Sequence, residues 1–193
     1  GELYGRSFHF QALLALLNES AVVADLGCGT GIVSQALAPC ARQVLAVDGS
    51  PEMLETARGR LASLPNVELR AGELEALPIE DGSVDLAVMM LVLHYIPEPV
   101  DALREALRIL RPGGKLLVVD MLPHEHQEYQ QHMGHVWLGF SEAQVLRCLA
   151  QAGFESCRFR PLPPEAEARG PGLFIATGHR AGTGNGALRR SHS

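Results

Sequence analysis

Hydrophobic positions along this chain keep two alternating rhythms. Short apolar runs such as VVADL and VLAVD read as strands buried on both faces. Between such runs the apolar residues return every three or four positions, as Leu103, Ala106, Leu107 and Leu110 do, which marks one face of a helix. Taken in order, the pattern predicts a helix over 9–18, a strand over 21–26, a helix over 31–38 and a strand over 43–48. Ser50 then caps a helix that Pro51 opens. Strands over 67–70 and 84–90 follow, then a helix from about Val100 that Gly113 and Gly114 stop, and a strand over 115–120. Ser141 and Gln144 have capping-box spacing, with Phe140 and Val145 as a hydrophobic staple, so a helix is expected over 142–151 until Gly153 ends it. Strands over 154–160 and 172–177 complete the set. Strands that alternate with helices in this way build a largely parallel sheet covered on both faces, an α/β Rossmann-like domain. The tail AGTGNGALRRSHS has no apolar period and is expected to be disordered, which leaves 1–179 as one domain and 180–193 outside it.

Chemistry enters at residues 22–34, VVADLGCGTGIVS, where an apolar run meets Asp25 and then Gly27, Gly29 and Gly31. A buried strand that must turn at once into a helix needs residues free to take unusual backbone angles, and glycines also let backbone N–H groups approach a ligand. Asp48 closes the second strand where a carboxylate can grip a ribose diol. The spacing Gly-x-Gly-x-Gly differs from the dinucleotide fingerprint Gly-x-Gly-x-x-Gly, so a nucleotide cofactor other than NAD is expected.

DLGCGTG, Asp25 to Gly31, resembles the glycine loop of the class I S-adenosylmethionine-dependent methyltransferases, of the UbiE-like kind. VLAVDGSPEML, Gly72 with Glu73, SVDLAVMMLVLHYIPEP and RPGGKLLVVDM extend the resemblance over roughly Ala21 to Gly178. It implies a seven-stranded sheet with the last strand antiparallel and S-adenosyl-L-methionine as cofactor. The implied cofactor residues are Tyr4, Arg6, Asp25, Gly27, Cys28, Gly29, Gly31, Asp48, Gly49, Met53, Gly72, Glu73, Leu74 and Met90. Glu73 stands where the family carries Asp and is expected at the adenine amino group, an exposed loop carboxylate being the plainer alternative. Met90 offers apolar surface beside the cofactor or simply fills core. Arg6 is placed to pair with the methionine carboxylate.

The 193 residues, 47% hydrophobic and 20% charged, suit a single core. A net charge of -6 disfavours direct nucleic-acid binding, which needs clustered Lys and Arg. The longest apolar run, LAVMMLVL, is too short to span a bilayer, and Gly1 to Arg6 lacks the basic head of a secretory signal. Cys28, Cys40, Cys148 and Cys157 show neither zinc spacing nor a disulfide framework, so a reducing cytoplasm is expected.

Residues 120–140, DMLPHEHQEYQQHMGHVWLGF, hold His124, His126, His132 and His135. On a helix, Glu128, His132 and His135 share a face, which could present acid–base groups or metal ligands. No strong zinc pattern is reproduced, so no metal is expected and the segment reads as a cover for the acceptor pocket, with His124 and His132 facing the crevice and Trp137 and Phe140 anchoring its far end. His94, after the fourth strand, is expected to border the same crevice. His94, His124 and His132 are the candidate catalytic bases, with His135 as a further one. ELYGRSF and PHEHQEYQQHMGHVWLGFSEAQV further resemble the methyltransferase half of two-domain ArsR-type regulators, in which a winged-helix DNA-binding domain comes first. The 193 residues begin at GELYGRSF, so either an upstream DNA-binding domain belongs with them or this member stands alone, as a monomer or a homodimer. Methyl transfer to a small-molecule acceptor is the expected activity, and a cofactor-sensing regulatory domain is its rival. The cysteines form no thiol cluster, which disfavours arsenic as the acceptor.

Overall fold

The computed structural model describes residues 18–163 and 170–182. Tyr4, Arg6, the body of the helix expected over 9–18 and the tail beyond 182 lie outside the described residues. Seven strands form one sheet in the order β3-β2-β1-β4-β5-β7-β6. They are β1 Val22–Leu26, β2 Gln43–Asp48, β3 Val67–Ala71, β4 Val84–Met90, β5 Leu110–Met121, β6 Glu155–Pro161 and β7 Leu173–His179. The first five pair in parallel, and β7 runs antiparallel to both β5 and β6. The helices are α1 Ile32–Leu37, α2 Pro51–Leu61, α3 Pro99–Ile109, α4 Glu128–Met133 and α5 Glu142–Ala152.

The centre of the sheet explains the near-continuous apolar strands. Every residue of β1 is buried. Val22, Ala24 and Leu26 face the larger core, where α3 contributes Leu103, Ala106 and Ile109 and α5 contributes Val145 and Leu149. Val23 faces a smaller core with Leu37, Val44 and Val88. Each such side chain removed from water contributes ~1.5–3 kcal/mol before chain entropy is counted. Ser50 caps α2 by accepting from the Met53 N–H, and the reciprocal Ser141/Gln144 box opens α5.

Two local expectations need correction. α3 ends at Ile109, and Leu110 already belongs to β5, opposite Val84. Pro112 is the reason: the residue before a proline is driven to extended backbone, so the chain leaves the helix before Gly113 and Gly114, which sit at a register shift inside the long strand. α4 is only six residues long, because Gly134 takes a left-handed turn at φ 72° and stops it. His135 is therefore off the helix, and the face shared with Glu128 and His132 does not form.

Candidate cofactor crevice and histidine wall

The carboxyl ends of β1, β2 and β4, with the loop after β3, surround a cavity of about 680 Å³, within the range of ordinary ligand sites. Its floor is the glycine loop. The N–H groups of Gly27 and Cys28 both donate to the Val47 carbonyl, at 2.8 and 2.9 Å, so the pairing of β1 with β2 runs on into the turn. A Cβ on Gly27, at φ 75°, would come within 2.3 Å of Val92 Cγ2. Among the described residues, no atom beyond its chain neighbours lies within 4 Å of where a Cβ on Gly29, at φ 53°, would be, so its backbone opens onto free space. The N–H of Gly29 donates to Asp48 Oδ2 and that of Ser50 to Asp48 Oδ1, each at 2.8 Å. A carboxylate can accept about four bonds, so this one is fixed in place and still has capacity for a vicinal diol.

Asp25 is buried beneath the loop and accepts from Ser34 Oγ at 2.5 Å. Burial pushes its carboxyl up to about 6, against the pull of the Ser34 hydrogen bonds and with a further push from the charge on Asp48. The Cys28 thiol is likewise pushed up to about 12 by burial and then by the charges of Asp25 and Asp48, so it stays protonated at neutral pH.

Asp25, Gly27, Cys28, Gly29, Asp48 and Gly49 all line the cavity, as do Met53, Gly72, Glu73, Leu74 and Met90. Gly31 does not: a Cβ there would press on Leu61 and Ala57, so it serves the packing of α1 on α2. Sequence reasoning missed Ile32, Glu75, Leu91, Val92 and Tyr95 among the lining residues. Helical spacing leaves Ile32 on the outer face of α1, a usable signal. Leu91 gives none, because nothing in the run LAVMMLVL marks the residue that takes φ 55°.

Behind Tyr95 stands the histidine wall. His94 is buried, one residue outside the cavity lining, in a single 3-10 turn over Leu93–Tyr95. Its Nδ1 lies 2.8 Å from Asp120 Oδ1, its backbone N–H donates to Asp120 Oδ2 at 3.3 Å, and the Met121 N–H donates to Asp120 Oδ1 at 2.7 Å. The His94 carbonyl accepts from the N–H groups of Val136 and Trp137, at 2.9 and 3.0 Å, which hangs the 122–140 segment on this turn. The His135 ring packs 4.1 Å from His94 and 5.0 Å from Tyr95, centroid to centroid, and Tyr129 joins it to His124 and His126. Burial, then the neighbouring imidazoles, lowers the affinity of His135 for a proton. His124 shifts the same way, through burial and His126. Two buried ring nitrogens, His124 Nε2 and His135 Nδ1, have no hydrogen-bond partner among the described residues. His132 is exposed on α4 and takes no part in these ring contacts, so the expectation that it faces the crevice is corrected in favour of His135. Trp137 anchors the far end as expected, its Nε1 donating to the Ile96 carbonyl at 2.9 Å and its ring against Phe140. Among the described residues no three His, Cys, Asp or Glu are grouped to hold a metal ion.

The methyltransferase domain family matches residues 24–118. An uncharacterized 37.1 kDa protein in a transposon of Streptomyces fradiae is 44% identical over 117 residues, 58% of this chain and 33% of that protein. A ubiquinone biosynthesis O-methyltransferase of Xanthomonas oryzae is 39% identical over 98 residues, 50% of this chain and 41% of that protein. The chain thus spans a third to two fifths of the length of these relatives. A crystal structure of an S-adenosylmethionine-dependent methyltransferase from Mesorhizobium loti superposes with a TM-score of 0.72 at 23% identity, covering 89% of this chain and 97% of that one. Residues 24–118 thus match the methyltransferase domain family, and the sheet has the fold of the S-adenosylmethionine-dependent methyltransferase structure. S-adenosylmethionine is the cofactor this fold takes, and an open glycine backbone beside an anchored carboxylate fits its ribose and amino-acid arms.

Proposed function

We propose that this domain, residues 1–179, transfers a methyl group from S-adenosylmethionine to a small-molecule acceptor. The observation that carries the reading is Asp48, held at the cavity wall by two backbone N–H groups with acceptor capacity to spare. In this reading Asp48 takes the ribose hydroxyls, Glu73 and Leu74 flank the adenine, and Gly27 to Gly29 pass the methionine arm. The sulfonium supplies an activated methyl carbon. Positioning of the acceptor then lowers the barrier by up to ~7–11 kcal/mol, more than a base typically adds. Where the acceptor must lose a proton, His94, His124 and His132 are the candidate bases, and His94 is the one whose ring is oriented by Asp120, one residue outside the cavity lining.

Calorimetry on a folded Asp48→Ala variant tests this reading. Affinity for both S-adenosylmethionine and S-adenosylhomocysteine should fall about ten- to hundred-fold, as expected for ~1.5–3 kcal/mol of charge-assisted hydrogen bonding. Unchanged affinity would remove the proposal. A second reading, a cofactor-sensing domain linked to an ArsR-type DNA-binding partner, is favoured by the ring-on-ring packing of His94, His135 and Tyr129 over the acceptor end. Acceptor screening separates the two: no turnover, with a DNA-binding partner that responds to S-adenosylhomocysteine, supports the sensor.

A further inference from the structure

Large apolar side chains left in water are unevenly placed in this molecule. Among the described residues they are Ile32, Met53, Leu91, Tyr95, Met133 and Val136. Four of these six line the one cofactor cavity, and Val136 is bonded through its backbone N–H to His94, next to Tyr95. Exposed apolar surface gathered on one rim marks a binding site, whereas scattered single residues need no explanation.

Leu91 makes the case specific. It is 46% exposed and holds φ 55°, a left-handed conformation unfavourable for a side chain branched beyond Cβ and of no use to the core. Its N–H donates to the Val119 carbonyl at 2.8 Å, so the β4–β5 pairing imposes this conformation. Backbone strain that places an apolar group in a crevice points to function. Tyr95, 43% exposed, stands beside it, and burial with the charge of Asp120 keeps its phenol protonated, able to donate a hydrogen bond. From Met90 to Pro97 the lining carries no charged side chain, while Asp48, Glu73 and Glu75 come from the β2 and β3 end of the cavity and Asp25 is buried on β1. That acidic end repels anions, and the apolar rim gains nothing from a heavily hydrated guest.

We infer that the rim formed by Leu91, Tyr95 and Val136 binds the methyl acceptor, and that the acceptor is a neutral molecule with an apolar or aromatic body and its reactive group at one end. The inference rests on the methyltransferase reading and is tested apart from it. The full chain, saturated with S-adenosylhomocysteine, is titrated calorimetrically with 4-alkylphenols of increasing chain length and with the matching 4-alkylbenzoates. Affinity for the phenols should rise about fourfold per methylene until the rim is covered, and each benzoate should bind at least about ten-fold more weakly than its phenol. Leu91→Asn keeps a residue tolerant of the left-handed region but removes the apolar surface, so it should weaken the longest phenol about ten-fold. A flat dependence on chain length, tighter binding of the benzoates, or an unaffected Leu91→Asn overturns the inference. If Leu91→Asn instead changes the sedimentation mass of the protein, the rim belongs to a second copy of the chain and the inference also fails. Failure to bind S-adenosylhomocysteine at all, by contrast, counts against the cofactor reading.

Discussion

The glycine loop and the histidine segment meet at the same edge of the sheet, yet they settle their polar groups in opposite ways. In the loop, the polar groups named find partners in residues fixed by adjacent strands: Gly27 and Cys28 on Val47, Gly29 and Ser50 on Asp48, Ser34 on Asp25. In the histidine segment the backbone is tied down at His94, but His124 Nε2 and His135 Nδ1 are buried with no partner among the described residues. An orphaned buried nitrogen costs ~1–3 kcal/mol, so the second region holds tension that the first does not. The difference is between a cradle whose polar contacts are closed and a wall that, among the described residues, leaves two ring nitrogens open.

The sharpest way to break this contrast is to disturb the cradle. Gly27→Ala meets both a left-handed backbone and a Cβ placed 2.3 Å from Val92 Cγ2. Strain of ~1–2 kcal/mol and overpacking of ~1–3 kcal/mol act together, so urea unfolding should show a loss of about 2–5 kcal/mol. Gly29→Ala points into open space and should cost only about 1–2 kcal/mol of stability. Its effect should fall on cofactor affinity instead. If both variants lose stability equally, the loop is a packing device and its separation from the ligand space is wrong.

Asp25 is the exception inside the cradle, a buried carboxyl with a hydroxyl partner but no cation among the described residues. Because its carboxyl is raised from 3.8 to about 6 on folding, the fold retains that proton longer than the unfolded chain does. Its contribution is fully present below the ordinary value and is lost as pH rises through about 6, a difference of about 3 kcal/mol. Asp25→Asn does not titrate. Measured from pH 4 to pH 8 without cofactor, the variant should gain on the wild type across that window, and parallel curves would show that Asp25 is not held protonated.

How much of each region was legible follows from the same contrast. Spacing alone placed the glycine loop, Asp48 and the Ser50 and Ser141 caps, because their partners are a few residues away or on the neighbouring strand. The histidine wall depends on distant contacts. Asp120 meets His94 across 26 residues, and the turn at Gly134 removes His135 from the helical face that its spacing suggested. The packing around Gly31 was hidden for the complementary reason: its neighbours Leu61 and Ala57 lie on another helix, and no local pattern announces them. Leu91 was invisible because its backbone is set by β5 and not by its own neighbours.

The finest test lies within the histidine segment, where two residues of one type differ only in setting. His135 is 6% exposed, with its Nδ1 unpartnered, whereas His132 stands in solvent. Phenylalanine at 135 keeps a ring against His94, Tyr95 and Tyr129 and removes the orphaned nitrogen, so His135→Phe should stabilise the protein by about 1 kcal/mol. The gain should grow on acidification. Burial lowers the proton affinity of His135, so its contribution is present above the ordinary histidine range and is lost as pH falls through its depressed value, a loss the phenylalanine cannot suffer. His132→Phe should stay within about 0.5 kcal/mol at every pH, as surface changes do. Thermal unfolding of both variants at pH 5 and pH 8 decides the matter. A larger or more pH-dependent effect at 132 than at 135 would mean that the two rings have exchanged roles, and that the wall described around His94 is not the one the protein builds.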